Sequence, residues 1–489
     1  MGGIFGVYSH DECVEDLFYG TDYHFHMGSM RGGLAVLNTD GIRRFIHDIT
    51  TSPFRPKFQD DLPKLHGRKG IGVISDTDDQ PLIIRSHLGT YAIVTVAKIN
   101  NLDELAENAF RKGTSHFSEM SGGVINPTEM VATLINNGKT FEEGIERAQN
   151  LIEGSCSLIL LTEKGIYAAR DKLGRTPLAI GEKLDSRLPP GQKTLLDPPM
   201  SRAVTMETNT FPNLGYKLVR QLGPGEIVLI HENGVTTCKA PNKRNQICAF
   251  FWVYYGYGPS SYEGINVEEV RYRCGAALAR RDEEQGFKKP DIVAGIPDSG
   301  TAHGIGYANE SKCFYGRPFL KYTPTWPRSF MPQDQNVRDE VARMKLIPIK
   351  ELITGKSLLF CDDSIVRGTQ LKDTVQGLYD RGAKEVHMRV ACPPLLFGCK
   401  FLNFSRSKSD LDLAGRRAIK DVFGETYPQL DEYLKKDSEK FKMMVEKIRK
   451  ELNFTTLRYQ KLEDLVEAIG LPKDQICTYC WDGAEYNDK

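Results

Sequence analysis

No apolar run in this 489-residue chain approaches the roughly 20 residues needed to cross a bilayer as a helix. The N-terminus has neither a basic region nor an apolar core, so no secretory leader is expected. MGGIFG opens like a myristoylation signal but places Gly6 where Ser or Thr is required. An excess of one charge is also missing, since Lys+Arg and Asp+Glu are each 64. A neutral chain gives no electrostatic reason to expect nucleic acid or a membrane as partner. Internal repeats and low-complexity tracts are absent. These absences point to the cytoplasm. There, 11 cysteines are expected as thiols or metal ligands rather than a disulfide framework.

Apolar residues make up 40% and aromatics 9%, enough for sizeable cores, and the length favours two domains. From Gly2 to about Ile230 the chain is strand-rich: GIGVIS, PLIIRS, YAIVTVAKI and GEIVLI are short β-branched or alternating runs. SLILLTEKGIYAARD reads as a hairpin turning at Glu163-Lys164-Gly165. Helices are expected near 103–112 and 126–137, and a Pro- and Gly-rich loop near 188–200. The pattern changes after Asn266. Asn266 with Glu269 forms a capping pair ahead of Val267, Val270, Cys274 and Leu278 on one helical face. DIVAGIP, KSLLFCDD and EVHMRVAC then read as strands, with helices from Thr301 and from about Thr369 to Arg381. Such alternation argues for a parallel sheet with helices on both faces. Residues 430–452 carry Phe441, Met444, Val445, Ile448 and Leu452 at helical spacing, as in a surface amphipathic helix.

The most informative stretch is LLFCDDSIVRGTQ, Leu358 to Gln370. A buried strand runs into Asp362 and Asp363, then a turn with Ser364, Arg367, Gly368 and Thr369, then a helix. Backbone N–H groups of such a turn and helix N-terminus hold a phosphate, and small residues let the backbone approach it. The paired acids stand where ligands bind in open α/β sheets; they suit ribose hydroxyls and Mg²⁺, a hard ion wanting oxygen. Ile296-Pro297-Asp298-Ser299-Gly300 forms a second strand-to-helix turn, weak evidence by itself.

The Asp362–Thr369 stretch resembles the signature of type I phosphoribosyltransferases. MGGIFGV resembles the first strand of class II glutamine amidotransferases. With GSCSLILLTEKGIYAARDKLGRTPLAIG and PDSG, nearly the whole chain resembles the amidophosphoribosyltransferase (glutamine PRPP amidotransferase) family of purine synthesis. The resemblance implies an α+β Ntn-type αββα sandwich over 1–235, a linker strand over 236–265, and an α/β phosphoribosyltransferase domain with a C-terminal helical and CxxC segment over 266–489. It implies PRPP contacts from Asp298, Ser299 and Gly300 as well as from the Asp362–Thr369 loop, with Mg²⁺ near Ser299, Asp362 and Asp363. It also implies a homo-oligomer, a tetramer in the family.

Several glutaminase positions of that family are changed. Gly2 occupies the nucleophile's place and offers no thiol. Val73-Ile74-Ser75-Asp76 stands for the arginine segment that holds glutamine, and Val96-Ala97 for the oxyanion-hole Asn-Gly. Pro127 replaces an amine-binding aspartate, and His26-Met27-Gly28-Ser29 the family's His-Arg-Gly-Gln. Cys13, an internal residue, reads as structural. The family's flexible loop over PRPP matches Tyr322–Pro327 followed by Arg328, without its other basic residues. The expected activity is transfer of the phosphoribosyl group from Mg–PRPP to ammonia or a small amine, from an external source, without an own glutaminase. The alternative is a non-catalytic regulator binding PRPP or nucleotides.

Cys477-Thr-Tyr-Cys480 alone is a weak signal that also fits a redox pair. By resemblance, Cys248, Cys399, Cys477 and Cys480 match the ligands of a [4Fe–4S] cluster, with Zn²⁺ and unpaired thiols as alternatives. Cys13, Cys156, Cys238, Cys274, Cys313, Cys361 and Cys392 are expected as small buried apolar groups.

Overall fold

A computed structural model describes residues 2–111, 113, 117–118, 120–121, 124–184, 200–322, 346–403, 409–424, 429–435 and 438–485. Most of the Pro- and Gly-rich stretch near 190, and the 323–328 segment with Arg328, lie outside them.

The first half is built on two antiparallel sheets. One has seven strands, with Gly2–Tyr8 between Met200–Thr205 and Lys69–Ser75; the other has six, with Gly154–Leu161 between Ile166–Ala169 and Gly89–Ile99. Alternation along the strands makes both faces of each sheet apolar. Ile4, Ile71, Val73, Val94, Ile159 and Val204 meet between the sheets. Their neighbours Phe5, Val7, Leu34 and Ile74 face outward, onto Leu17 and Phe18 of the Val14–Asp22 helix. On the far side Ile93, Leu158, Leu160 and Tyr167 receive the Pro127–Ile135 and Phe141–Leu151 helices. The result is the expected αββα sandwich. The expected hairpin pairs Leu161 with Ile166.

Residues 236–265 do not form one strand. After Gly234–Lys239 the chain makes the two-residue strand Ile247–Cys248, a π-helical turn over Phe251–Tyr255 and a short hairpin, Ser261–Tyr262 with Ile265–Asn266. Arg271 holds the turn by donating to the carbonyls of Trp252, Tyr254 and Gly256 at 2.9, 3.0 and 2.8 Å. Apolar content alone does not reveal this, because Phe251–Tyr255 carries no alternation.

The second half centres on a four-stranded parallel sheet, Ile292–Gly295, Ser357–Asp362, Glu385–Val390 and Thr456–Tyr459 in that order. Asn266 caps the Val267–Glu284 helix, accepting from the Glu269 N–H at 3.0 Å, and Val267, Val270, Cys274 and Leu278 are buried as expected. Thr301–Ser311 and Thr369–Tyr379 are helical. Residues 430–452 are not one helix. Asp431–Leu434 and Glu439–Glu451 are separate, because Ser438 caps the second through the Phe441 N–H at 3.0 Å. Met444, Ile448 and Leu452 are buried. Cys238 and Cys313 are half-exposed rather than buried, since they lie in an outer strand and just beyond a helix end.

Candidate functional site

Two strands of the parallel sheet end side by side, with Gly295 opposite Cys361. Each runs into a short turn and then a helix. Gly300 opens the first helix where a Cβ would lie 2.0 Å from the Cys361 carbonyl oxygen, so only glycine lets the turns approach this closely. Gly368 opens the second with φ +76°, a left-handed conformation suited to glycine.

The turns are joined by polar contacts. Ser299 Oγ donates to Asp362 Oδ1 at 2.8 Å, and the Asp363 N–H donates to the same oxygen at 2.9 Å. Ser364 Oγ donates to Asp363 Oδ2 at 2.7 Å. Both acids are buried. Burial, and then the neighbouring Asp363 charge, push the Asp362 carboxyl well above the usual range. Among the described residues neither acid has an ion-pair partner, although Arg271 lies in the field of Asp363. Two adjacent acids without an ion-pair partner among the described residues, with only the Arg271 field acting on Asp363, form a donor set that a divalent cation would relieve. Asp298 is exposed and pairs with Lys321 Nζ at 2.6 Å. Arg367 is exposed, 3.4 Å from Asp412, and its carbonyl accepts from Arg417. Thr369 begins its helix. The structure therefore brings Ser299, Gly300, Asp362, Asp363 and Ser364 together and places Asp298 and Arg367 at the exposed rim. Arg271, Lys321 and Arg417 were not singled out from sequence; Arg271 carries only the generic signal of a basic residue on a buried helical face.

No three His, Cys, Asp or Glu side chains among the described residues converge on one metal ion. Mg²⁺ is held by one or two carboxylates and the substrate's phosphates rather than an all-protein cage.

The positions matching a glutaminase also converge, but on filled space. Gly2 pairs with Ser75, and a Cβ on Gly2 would lie 2.6 Å from the Ile74 carbonyl oxygen. A Cβ on Gly3 would meet the buried His24 ring at 2.5 Å. Burial pushes the His24 imidazole down to about 4. Behind them Asp78 accepts from Ser75, Thr77 and Gln80 at 3.2, 2.5 and 3.1 Å through one oxygen, and from Thr128 at 2.7 Å through the other. Asp76 accepts from the Ser29 N–H at 2.7 Å. Ala97, in the place of an oxyanion donor, has its carbonyl capped by Asn403 at 3.1 Å. Pro127 occupies the first turn of a helix capped by Asn126. Glu207, buried beside His26 at 3.5 Å, accepts from Ser260 and from Tyr262 at 2.5 Å, tying this region to the linker hairpin. Cys13 is fully buried and its thiol pushed up by burial, so it is no substitute nucleophile.

Cys248, Cys399, Cys477 and Cys480 line one cavity with Phe250, Phe401, Leu402, Trp481 and Arg175. Cys248 and Cys477 are partners in a two-stranded parallel ladder. The Leu396 and Phe397 N–H groups both donate to the Cys480 carbonyl at 3.2 Å. Cys399 Sγ accepts from the Leu402 N–H at 3.3 Å and the Phe401 N–H at 3.5 Å. The Cys480 thiol, and then these amides, hold the Cys399 thiol down at about 6. The four cysteines line one pocket without gathering around a single ion's position, and four thiols with amides aimed at one of them are the donor chemistry of a thiolate-bound cluster.

A model of the glutamine amidotransferase domain matches residues 66–189. Amidophosphoribosyltransferase from Methanothermobacter thermautotrophicus is 28% identical over 98% of this chain and 93% of its own length. The Bacillus subtilis protein of the same name is 27% identical over 98% and 93%. The structure of B. subtilis glutamine PRPP amidotransferase complexed with ADP and GMP superposes with a TM-score of 0.80, at 25% identity, over 99% of this chain and 96% of that one. The likeness thus runs through the sandwich, the linker and the parallel sheet alike, and over nearly its whole length the chain is similar to amidophosphoribosyltransferases.

Proposed function

We propose that the chain binds Mg–PRPP at the 296–300 and 362–369 turns and transfers its phosphoribosyl group to ammonia or a small amine. The observation that carries this reading is the buried Asp362–Asp363 pair, without an ion-pair partner among the described residues and bridged to Ser299 where two parallel strands end. The 5-phosphate would take the N–H groups of the 364–369 turn. Asp362 and Asp363 would hold the ribose hydroxyls and, with Ser299, the Mg²⁺ that neutralises the departing pyrophosphate. In the step, the bond from the anomeric carbon to oxygen breaks and pyrophosphate leaves with the electron pair. The amine's lone pair forms the new C–N bond, and the nitrogen loses a proton. Charge at the anomeric carbon is oxocarbenium-like, so the protein acts mainly by positioning and electrostatics.

Nitrogen would come from outside the chain. The filled space at Gly2, which has no thiol, and the internally saturated Asp78 support the absence of glutaminase activity. The four cavity-lining cysteines support a structural [4Fe–4S] cluster. A cubane spreads its ligands more widely than a single Zn²⁺, which gathers four sulfurs about 2.3 Å from one point.

The test is pyrophosphate release from PRPP and Mg²⁺ with ammonium at alkaline pH. Release is expected. PRPP binding without release, with any amine, would favour the regulator. No PRPP binding at all would end both readings. Iron and acid-labile sulfide near four each per chain are expected; stoichiometric zinc would replace the cluster.

A further inference from the structure

Arg175 comes from the first half of the chain, yet its side chain forms part of the wall of the cysteine cavity. It is 6% exposed, and its Nε is buried without a hydrogen-bond partner. The guanidinium lies over the Phe401 ring at 3.5 Å and faces the Cys477 and Cys248 thiols. Among the described residues no carboxylate pairs with it. Its own backbone is pinned at both ends: the N–H donates to Asp171 Oδ2 at 3.0 Å, and the carbonyl accepts from the Cys248 N–H at 3.2 Å. The side chain is therefore held in place.

A buried guanidinium is costly unless an anion answers its charge and its N–H groups are used. A ring face compensates only part of that cost. The nearest groups able to become anionic are the cysteine sulfurs. A four-thiolate metal group carries net negative charge whether it is a [4Fe–4S] cluster or Zn²⁺, and hydrogen bonds to its sulfurs tune it.

We propose that Arg175 is the counter-cation and hydrogen-bond donor of the metal–thiolate group, a positioning residue supplied to the second half's cofactor by the first half. This rests on reading the four cysteines as metal ligands. Three contacts brace the cysteine loop from the same side: Lys98 donates to the Cys399 carbonyl, Asn100 to that of Lys400 at 2.8 Å, and Ser155 to that of Phe401 at 2.5 Å. Of these only Lys98 is charged, and its ammonium acts on the Cys399 thiol; Arg175 is the cation that faces Cys248 and Cys477. The metal group would thus fasten the two halves together electrostatically as well as sterically.

The experiment compares anaerobically purified full-length wild type, Arg175→Lys and Arg175→Gln. Metal and sulfide content, the visible spectrum, the midpoint potential and the rate of metal loss to a chelator are read, with circular dichroism to verify folding. Arg175→Gln is expected to lose metal roughly tenfold faster or more, and to have a lower midpoint potential because adding an electron beside a lost cation is harder. Arg175→Lys should recover part of both. If zinc is found, the chelator rate alone decides. Unchanged loss rate and potential in a folded, metal-loaded Arg175→Gln protein would overturn the proposal alone. Absence of metal from the wild type would overturn both the metal reading and the proposal.

Discussion

The start of the Gly2–Tyr8 strand and the end of the Ser357–Asp362 strand are both places where small residues bring backbones together around acids. They differ in what the polar groups have left to give. At the first, the Ile74 carbonyl and the His24 ring stand where side chains of residues 2 and 3 would go. Asp78 there has both oxygens engaged by neighbouring side chains. At the second, Asp362 is buried against the Asp363 charge, and neither acid has an ion-pair partner among the described residues, only the Arg271 field reaching Asp363. A polar cluster whose hydrogen bonds are spent internally behaves as core. One with charge left over can take a ligand.

Four predictions sharpen or break that contrast. The largest effect is on acid stability, to which each region contributes a buried neutral histidine. Burial holds His24 down at about 4 and, helped by the Arg271 charge, His303 at about 3, against 6.5 unfolded. The unfolded chain therefore binds the extra protons. Stability is complete above about pH 6.5 and falls as the pH drops toward 4, by about 3 kcal/mol for each histidine. Denaturant melts at pH 7 and pH 4.5 should show the loss, reduced in His24→Asn and His303→Asn; a pH-independent midpoint would contradict the assigned burial.

Next comes Asp363→Asn, expected to weaken Mg²⁺-dependent PRPP binding by roughly a hundredfold, in line with removing one preorganised electrostatic partner. Calorimetry checks this, and unchanged affinity would move the site elsewhere. Thr128→Val removes the donor to Asp78 Oδ2 and should cost about 1–3 kcal/mol in urea melts without touching PRPP affinity. A loss of PRPP binding instead would couple the two regions directly. In activity the smallest change is expected from Gly2→Cys: glutamine hydrolysis stays at background, while stability falls because its Cβ must displace the Ile74 backbone carbonyl.

Much of the scaffold was readable in the residues. The Asn266 cap and the hairpin between Leu161 and Ile166 follow from local chemistry. The Asp362–Asp363 turn announces itself because strand, acids, small residues and helix come in unbroken order. Less local features were not readable. The π-helical turn at Phe251–Tyr255 depends on three carbonyls gathered by Arg271, a residue well along the chain. The division of 430–452 turns on one serine cap. The cysteine cavity joins Cys248, Cys399, Cys477 and Cys480 across more than half of the second half's sequence, so spacing gave no signal and only resemblance pointed to it. Arg175 sits in a turn of ordinary composition, and its isolation from carboxylates exists only in three dimensions.

The most direct test of the contrast supplies amide-¹⁵N glutamine, PRPP and Mg²⁺ to the metal-loaded protein and measures glutamate formation beside a parallel reaction with ¹⁵N-ammonium. The account predicts labelled product and pyrophosphate from ammonium, and glutamate at background from glutamine. Glutamate released in step with pyrophosphate would contradict it.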